Sequence, residues 1–368
     1  MSKIVAIDAR WLVGGIGTYT ENLLQGVGRS VNGLEFHAIA RGADEARLKE
    51  ICPHVSVIDV PIYTAREQFL IPRAAKGCDL LHVPHFNVPL FHRGPLVVSI
   101  MDVIHLRSPN YRHTLSSMLY ARPMLNAAVR KADHIITVSN YSKIQIMEAL
   151  GTPSCKISVI PCGVGEQFRP YEDDRKFRDA ARILGINGPF LLYVGNLKPH
   201  KNVGTLLRAY AQLHNGRRIT HSLVIVGDDA RWKCSVIKES ERLGIRDSTV
   251  FVPFVSADLL PRVYAAAELF VMPSTVEGFG IPVLEAMACG TPVVCSNAAS
   301  LPEVAGEAAL YFDPASADEL ASQIERLAHS KGLCASLREK GLQRAKQFTW
   351  QEFTRSHMEV YHLLLGLS

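Results

Sequence analysis

The stretch "STVEGFGIPVLEAMACGTPVVCS", residues 274–296, follows the apolar run "LFVMPS" (269–274) and holds a glycine turn, a helix-length segment and a second β-branched run. Strand, turn, helix and strand in that order make a crossover, which predicts two parallel strands with the helix lying on their sheet. Pro282 stands near the first helical position, where a missing N–H does little harm. Gly278 and Gly280 let backbone amides approach a ligand closely, and the N–H groups of Val283 and Leu284 at the helix mouth are expected to form an anion site. Glu285 is expected in the first turn of this helix, with Glu277 on the far side of the glycine turn. Carboxylates flanking anion-seeking amides suit a ligand with hydroxyls at both ends and phosphates between them, a description that fits a nucleotide sugar. Alternatively, Glu285 only complements the helix dipole and Glu277 is a solvated turn residue.

Outward from this unit the same alternation repeats. In the second half "FLLYVG" (190–195), "SLVIVG" (222–227), "TVFVPFV" (249–255) and "AALYFD" (308–313) read as strands separated by helical segments. In the first half "KIVAIDA" (3–9) leads into the glycine turn "GGIGTY" (14–19) and the helical "TENLLQGVGRS" (20–30). Six more strand-like runs follow: "EFHAIA", "VSVIDV", "LLHV", "LVVSIM", "HIITVS" and "ISVIPC". Between the halves, "PCGVGEQFRPYEDDR" (161–175) combines Pro, Gly and charge and reads as a linker. The fold class is therefore α/β, with two Rossmann-like doubly wound domains in tandem, as the length of 368 residues allows. Two such sheets facing each other predict a cleft at their strand ends. In the last segment, Trp350, Phe353, Met358 and Tyr361 recur at helical spacing and predict a packing face.

Composition narrows the function classes. Hydrophobic residues make up 48% and charged residues 20%, which fits a packed globular chain, and no apolar run approaches a membrane span. Asp8 and Arg10 interrupt the first apolar segment, so it is read as a strand rather than a signal peptide. Eight cysteines without a Cys-x-x-Cys pair predict reduced thiols in a cytoplasmic protein. Residues 1–170 carry 18 Lys and Arg against 13 Asp and Glu, whereas 171–368 carry 22 of each, so the excess of +5 is N-terminal. A basic half suits an anionic substrate or a phospholipid surface. No basic run or RNA-binding signature points to nucleic acid.

Other strand-end motifs carry polar groups. "LLYVGNLKPHKNVGTLLRAY" (191–210) sets Lys198, His200 and Lys201 at one strand mouth, cations suited to a diphosphate. The loop "VGGIGTYTENLL" (13–24) lacks the third glycine of a dinucleotide fingerprint, and the second strand ends in Ala40-Arg41 instead of an acid, which argues against a nicotinamide enzyme. "DLLHVPHFNVPL" (79–90) and "VVSIMDVIHLRSP" (97–109) place His82, His85, Asn87, Asp102 and His105 near strand ends, where they can bind an acceptor or move a proton. "GDDAR" (227–231) reads as helix capping, and no metal is assigned.

The segments "EGFGIPVLEAMACGTPVV", "VGNLKPHKN", "GGIGTY", "ITVSNYSK" and "NAASLPEVAGEAALYFDP" together resemble the retaining glycosyltransferases of family four, also called group one, and the resemblance spans nearly the whole chain. It lies nearest to bacterial mannosyltransferase-like members that build surface polysaccharide. The resemblance implies the GT-B fold: an acceptor domain over 1–168, a nucleotide-sugar domain over 169–350, and a C-terminal helix over 351–368 that crosses back. It implies a donor site of Gly15, Asn196, Lys198, Lys201, Phe254, Val255, Glu277, Gly278, Phe279, Gly280, Val283, Leu284 and Glu285. Within that site Lys201 and Gly15 meet the diphosphate, Glu285 the ribose, and Glu277 the transferred sugar. The base lies against "PFVS" (253–256). The catalytic set is Glu277, Lys201 and Asp102, and the acceptor set His85, Asn87 and His105. The implied donor is a GDP- or UDP-sugar and the acceptor a saccharide, free or lipid-linked; a lipid-linked acceptor with peripheral attachment at the inner membrane face suits the basic N-terminal half. No cofactor or metal is expected, since cationic side chains and the helix mouth take that role. Asn196 stands where many relatives have arginine, and Met101 where they have the histidine of a His-Asp pair. Two competing readings are another two-domain nucleotide-sugar enzyme, such as an epimerase, and a binding protein whose catalytic site is degraded.

Overall fold

The structure, a computed structural model, describes residues 2–28, 33–107, 115–171, 182–183, 185–186 and 188–367. Three stretches discussed above run partly outside these residues: 29–30 of the first helical segment, 108–109 of the second histidine motif, and 172–175 of the linker. The chain divides into two compact units, one of Met1–Gly163 with Trp350–Ser368 and the other of Val164–Thr349.

Unit 1 contains β1 (Lys3–Asp8), α1 (Gly14–Gly28), β2 (Leu34–Ala40), α2 (Glu45–Lys49), β3 (His54–Val57), α3 (Glu67–Ala74), β4 (Leu80–Val83), β5 (Leu96–Ser99), α4 (Ile104–Arg107), α5 (Leu115–Lys131), β6 (His134–Thr137), α6 (Asn140–Leu150) and β7 (Ile157–Val159). The strands form one sheet in the order β3-β2-β1-β4-β5-β6-β7, every pair parallel. β4, β5 and β6 are buried at all four positions, as strands covered on both faces must be, which explains their unbroken apolar runs. The glycine turn expected at 14–19 is instead the first turn of α1. A Cβ at Gly17 would lie 2.4 Å from the Leu12 carbonyl carbon, so a glycine here lets the helix begin against the preceding backbone.

Unit 2 contains β8 (Phe190–Val194), α7 (Val203–Asn215), β9 (Ser222–Val226), α8 (Lys233–Arg242), β10 (Thr249–Val252), α9 (Leu260–Ala266), β11 (Leu269–Met272), α10 (Ile281–Ala288), β12 (Val293–Ser296), α11 (Leu301–Ala305), β13 (Ala309–Phe312), α12 (Ala317–Ala328) and α13 (Lys331–Ala345). Its six-stranded parallel sheet runs β10-β9-β8-β11-β12-β13. The strand order reverses between β1 and β4 in unit 1 and between β8 and β11 in unit 2. Loops diverge at such a point and leave a crevice at the carboxyl ends of the strands.

The last helix, α14 (Trp350–Leu365), belongs to unit 1 and buries Phe353, His357, Met358 and Tyr361 there. It crosses α1 so closely that a Cβ at Gly26 would lie 1.9 Å from Thr354 Oγ1. Beneath the crossing runs a chain of buried polar groups. His357 Nδ1 lies 2.7 Å from the Phe353 carbonyl, which can only accept, so the neutral ring accepts the Tyr19 hydroxyl at Nε2. Tyr19 in turn accepts from Ser99 Oγ at 2.7 Å, Ser99 accepts from His82 Nε2 at 2.7 Å, and His82 Nδ1 accepts from Tyr361 Oη at 2.6 Å. Every donor has an acceptor only while both rings are neutral. His82, read above as a strand-end group, is wholly buried in this chain and unavailable to an acceptor.

Candidate functional site

In unit 2 the buried strand β8 delivers the basic loop 195–202 at the point where the strand order reverses. Tyr193, fully buried, donates its hydroxyl to the Asn196 carbonyl at 2.6 Å. Asn196 Oδ1 accepts the Lys198 amide at 3.2 Å, so the residue standing in place of an arginine shapes the loop. Asn202 takes the left-handed conformation (φ 56°), and its side-chain amide donates to the carbonyls of Pro273 (3.0 Å) and Pro314 (2.8 Å). The Thr275 amide donates to the His200 carbonyl at 2.8 Å. These bonds lace the basic loop to the loop that follows β11.

The lacing brings Lys201 onto Glu277, with Nζ 2.6 Å from Oε1 and 2.9 Å from Oε2. Both side chains are nearly buried, at 13% and 11% exposure, so the pair sits where screening is weak. Ser300, itself buried, holds the glycine turn from below by donating to the carbonyls of Glu277 (3.0 Å) and Phe279 (2.8 Å). Gly280 has φ 109°, and a Cβ there would lie 2.8 Å from Leu301 Cδ2. Sequence reasoning named the pieces but not the direct Lys201–Glu277 contact, which depends on the Asn202 and Ser300 bonds.

Two expectations for α10 are corrected. The Val283 amide is turned back onto the Gly280 carbonyl at 2.9 Å, because the first turn closes on its own cap, so it is not an open anion donor. Glu285 is the fifth residue of the helix, beyond its first turn, and accepts the Tyr264 hydroxyl at 2.8 Å. Burial pushes its carboxyl up to about 7, against the opposing pull of the Tyr264 bond. In the "PFVS" loop Val255 is buried, whereas Phe254 is 80% exposed.

In unit 1 the loops after β1 and β4 meet at the corresponding reversal. Arg10, only 3% exposed, bonds both oxygens of Asp8 (2.8 and 2.9 Å) and reaches Glu67 Oε2 at 3.1 Å. Asn87 Nδ2 donates to Glu67 Oε1 at 2.7 Å, and Asn87 Oδ1 accepts the Tyr120 hydroxyl. Asp8, Arg10, Trp11, His85 and Asn87 line a narrow crevice of about 20 Å³ that opens to solvent. Sequence reasoning missed Arg10, Glu67, Trp11 and Tyr120; Asp8 and Arg10 served there only as charges ending an apolar run.

His85 stacks on Trp11, with centroids 5.3 Å apart and planes 8° apart. Its Nδ1 accepts the Asn87 amide at 3.1 Å, so its Nε2 carries the proton and faces Tyr63 Oη at 3.2 Å. Burial, with His105 adding to it, pushes the ring down to about 3. His85 is therefore a neutral aromatic wall, because its basic nitrogen is already occupied. His105 lies in α4 with its ring 5.8 Å from Phe86, and Asp102 Oδ1 accepts the Ile104 amide at 3.0 Å, capping that short helix. Gly15 is exposed in the first turn of α1. Among the described residues no cluster of three or more His, Cys, Asp or Glu is arranged to hold a metal ion, and no helix is long and apolar enough to cross a membrane.

Comparison with known proteins bears on both units. Residues 13–168 match the family described as Glycosyltransferase Family 4, and residues 176–344 match Glycosyl transferases group 1. The chain is 32% identical over 287 residues to the O-antigen chain mannosyltransferase B of Escherichia coli, covering 77% of this chain and 74% of that one. It is 33% identical over 243 residues to an MMP alpha-(1->4)-mannosyltransferase of Mycolicibacterium hassiacum, covering 65% of this chain and 56% of that one. Among solved structures, Anabaena HepE in complex with UDP-glucose superposes with a TM-score of 0.81 at 22% identity, covering 97% of this chain and 99% of that one, which supports the fold alone.

Proposed function

Because this chain belongs to the group 1 glycosyltransferases of family 4, we propose that it is a retaining hexosyltransferase that moves mannose from GDP-mannose to a saccharide, free or lipid-linked, in surface polysaccharide synthesis. The mannosyl donor is favoured by the names of the two sequence relatives. A UDP-glucose-type donor is the second reading, favoured by the ligand in the HepE structure.

One observation carries the reading: a nearly buried Lys201–Glu277 pair, held between two laced loops at the strand-order reversal of unit 2. Lys201 turns from Glu277 to the donor diphosphate and stabilises the negative charge that grows on it as the glycosidic bond breaks. Glu277 then faces the sugar, and the amides of Phe279 and Gly280, steadied by Ser300, approach its hydroxyls. Glu285 binds the ribose. The acceptor hydroxyl attacks from the side the diphosphate leaves, giving retention, and its proton passes to the leaving phosphate oxygen. In unit 1 the Trp11–His85 wall and the crevice beside Arg10 take the acceptor. Asp102, engaged at the α4 cap, acts there as a positioning residue.

The test is a panel of GDP- and UDP-sugars assayed by thermal protection and by transfer to a mannose-terminated acceptor. Lys201→Ala should lower kcat/KM by roughly 10²–10³-fold, the scale of losing one transition-state charge partner. Unchanged transfer in Lys201→Ala, or sugar conversion without an acceptor, would refute the reading. The degraded-site alternative rests on Met101 and predicts that Met101→His raises turnover with donor affinity unchanged.

A further inference from the structure

In unit 1 the loop between β4 and β5 that carries His85 and Asn87 runs on to an exposed apolar group, which it shares with α3. Phe69 on α3 is 62% exposed and Phe91 on the loop before β5 is 57% exposed, with ring centroids 4.7 Å apart; Leu90 beside them is also exposed. The two segments are tied together from within. The buried Gln68 accepts the Leu90 amide at 2.6 Å, and Lys131 donates to the His92 carbonyl. The pair is therefore preformed and held outward.

Cations surround it. Arg66 and Arg73 stand three and four residues from Phe69 along the helix, Arg93 stands two beyond Phe91, and Lys76 follows α3; all four are exposed. Within 61–77 and 88–95 the sole acid is Glu67, which is fully buried against Arg10, and the nearby exposed Asp133 is engaged by the Leu96 amide at 2.8 Å. Two phenyl rings and a leucine fall far short of the roughly 1,000 Å² a stable protein interface buries. A second copy apposed here would also set arginines against arginines. Aromatic tips inside a ring of arginines match an anionic lipid interface, where rings insert among the acyl chains and guanidinium groups meet headgroup phosphates.

We propose that Phe69, Leu90 and Phe91, with Arg66, Arg73 and Arg93, form a surface that attaches the chain to anionic lipid. The use of this attachment rests on the lipid-linked acceptor proposed above, but vesicle binding is read without donor or acceptor, so either idea can fail alone.

The full chain is floated with vesicles of phosphatidylcholine containing about 30% phosphatidylglycerol, at low and high salt, beside pure phosphatidylcholine. Binding to the anionic vesicles is expected, weakened by salt, lost in F69S/F91S, and reduced roughly fivefold per cation in R66Q/R73Q/R93Q. Melting temperature and nucleotide-sugar protection should match the parent chain in both variants. Should the apolar variant misfold, the arginine variant and the salt titration still decide. No binding to anionic vesicles at low salt, binding unchanged in both variants, or a dimer that F69S/F91S dissociates would each overturn the proposal.

Discussion

Glu285 is a carboxylate whose environment competes with its use. Burial raises its pKa to about 7, so near neutrality it is divided between a protonated form and the ion that can accept two ribose hydroxyls. Because its folded value lies above its unfolded one, the group favours the fold at low pH, and that contribution is lost as pH rises from about 4.5 to 7. Donor affinity should run the other way. GDP-mannose does not titrate in this range, so its affinity should rise about tenfold between pH 6 and 8, and Glu285→Gln should flatten the profile. Calorimetric titration of the two proteins at several pH values checks this; an equal slope in both would exclude Glu285 as the titrating group. The proposed ribose role was read in the sequence from the spacing to Glu277. The Tyr264 bond was not, because Tyr264 lies 21 residues away on another helix.

Among the elements, the close passage of two strand ends sets the basic loop 195–202. A Cβ at Gly227, after β9, would lie 1.9 Å from the Gly195 carbonyl oxygen, after β8, and Gly227 has φ 143°. Backbone on both sides cannot yield as a side chain can. Gly227→Ala should therefore destabilise unit 2 by about 2–3 kcal/mol or more and move the Asn196–Lys201 loop, lowering both the urea midpoint and nucleotide-sugar affinity. Loss of affinity with an unchanged midpoint, or no change in either, would contradict this account. The parallel pairing of the strands followed from the alternation of apolar runs and crossovers, since parallel strands need such connections. The boundary of α1 did not, because glycines that usually mark a turn are used here for close approach to Leu12. Likewise the charged cluster of Asp8, Arg10 and Glu67 joins residues up to 59 positions apart, and short-range patterns carry no trace of it.

For the molecule as a whole, acid should act first through the histidines of unit 1. Burial lowers His357 to about 4 and His82 well below its ordinary value, so the unfolded chain binds protons more readily than the folded one between pH 6.5 and about 4. Stability present above pH 6.5 is lost as pH falls through that window, on the order of 3 kcal/mol from His357 alone. Urea denaturation at pH 7, 5.5 and 4.5 should show the fall, and His357→Gln, which keeps an acceptor for Tyr19, should make it shallower. A fall of equal steepness in the variant would place the acid sensitivity elsewhere.

The helix that covers His82 comes from residues 350–365, and 186 residues of unit 2 are made before it. On the ribosome, the sheet of unit 1 is therefore translated early yet keeps an open seam over Tyr19, Ser99 and His82 until Tyr361 has emerged. Synthesis order and completion order are inverted: the domain begun first is sealed last, and a stalled chain would present that polar seam to the cell's chaperones.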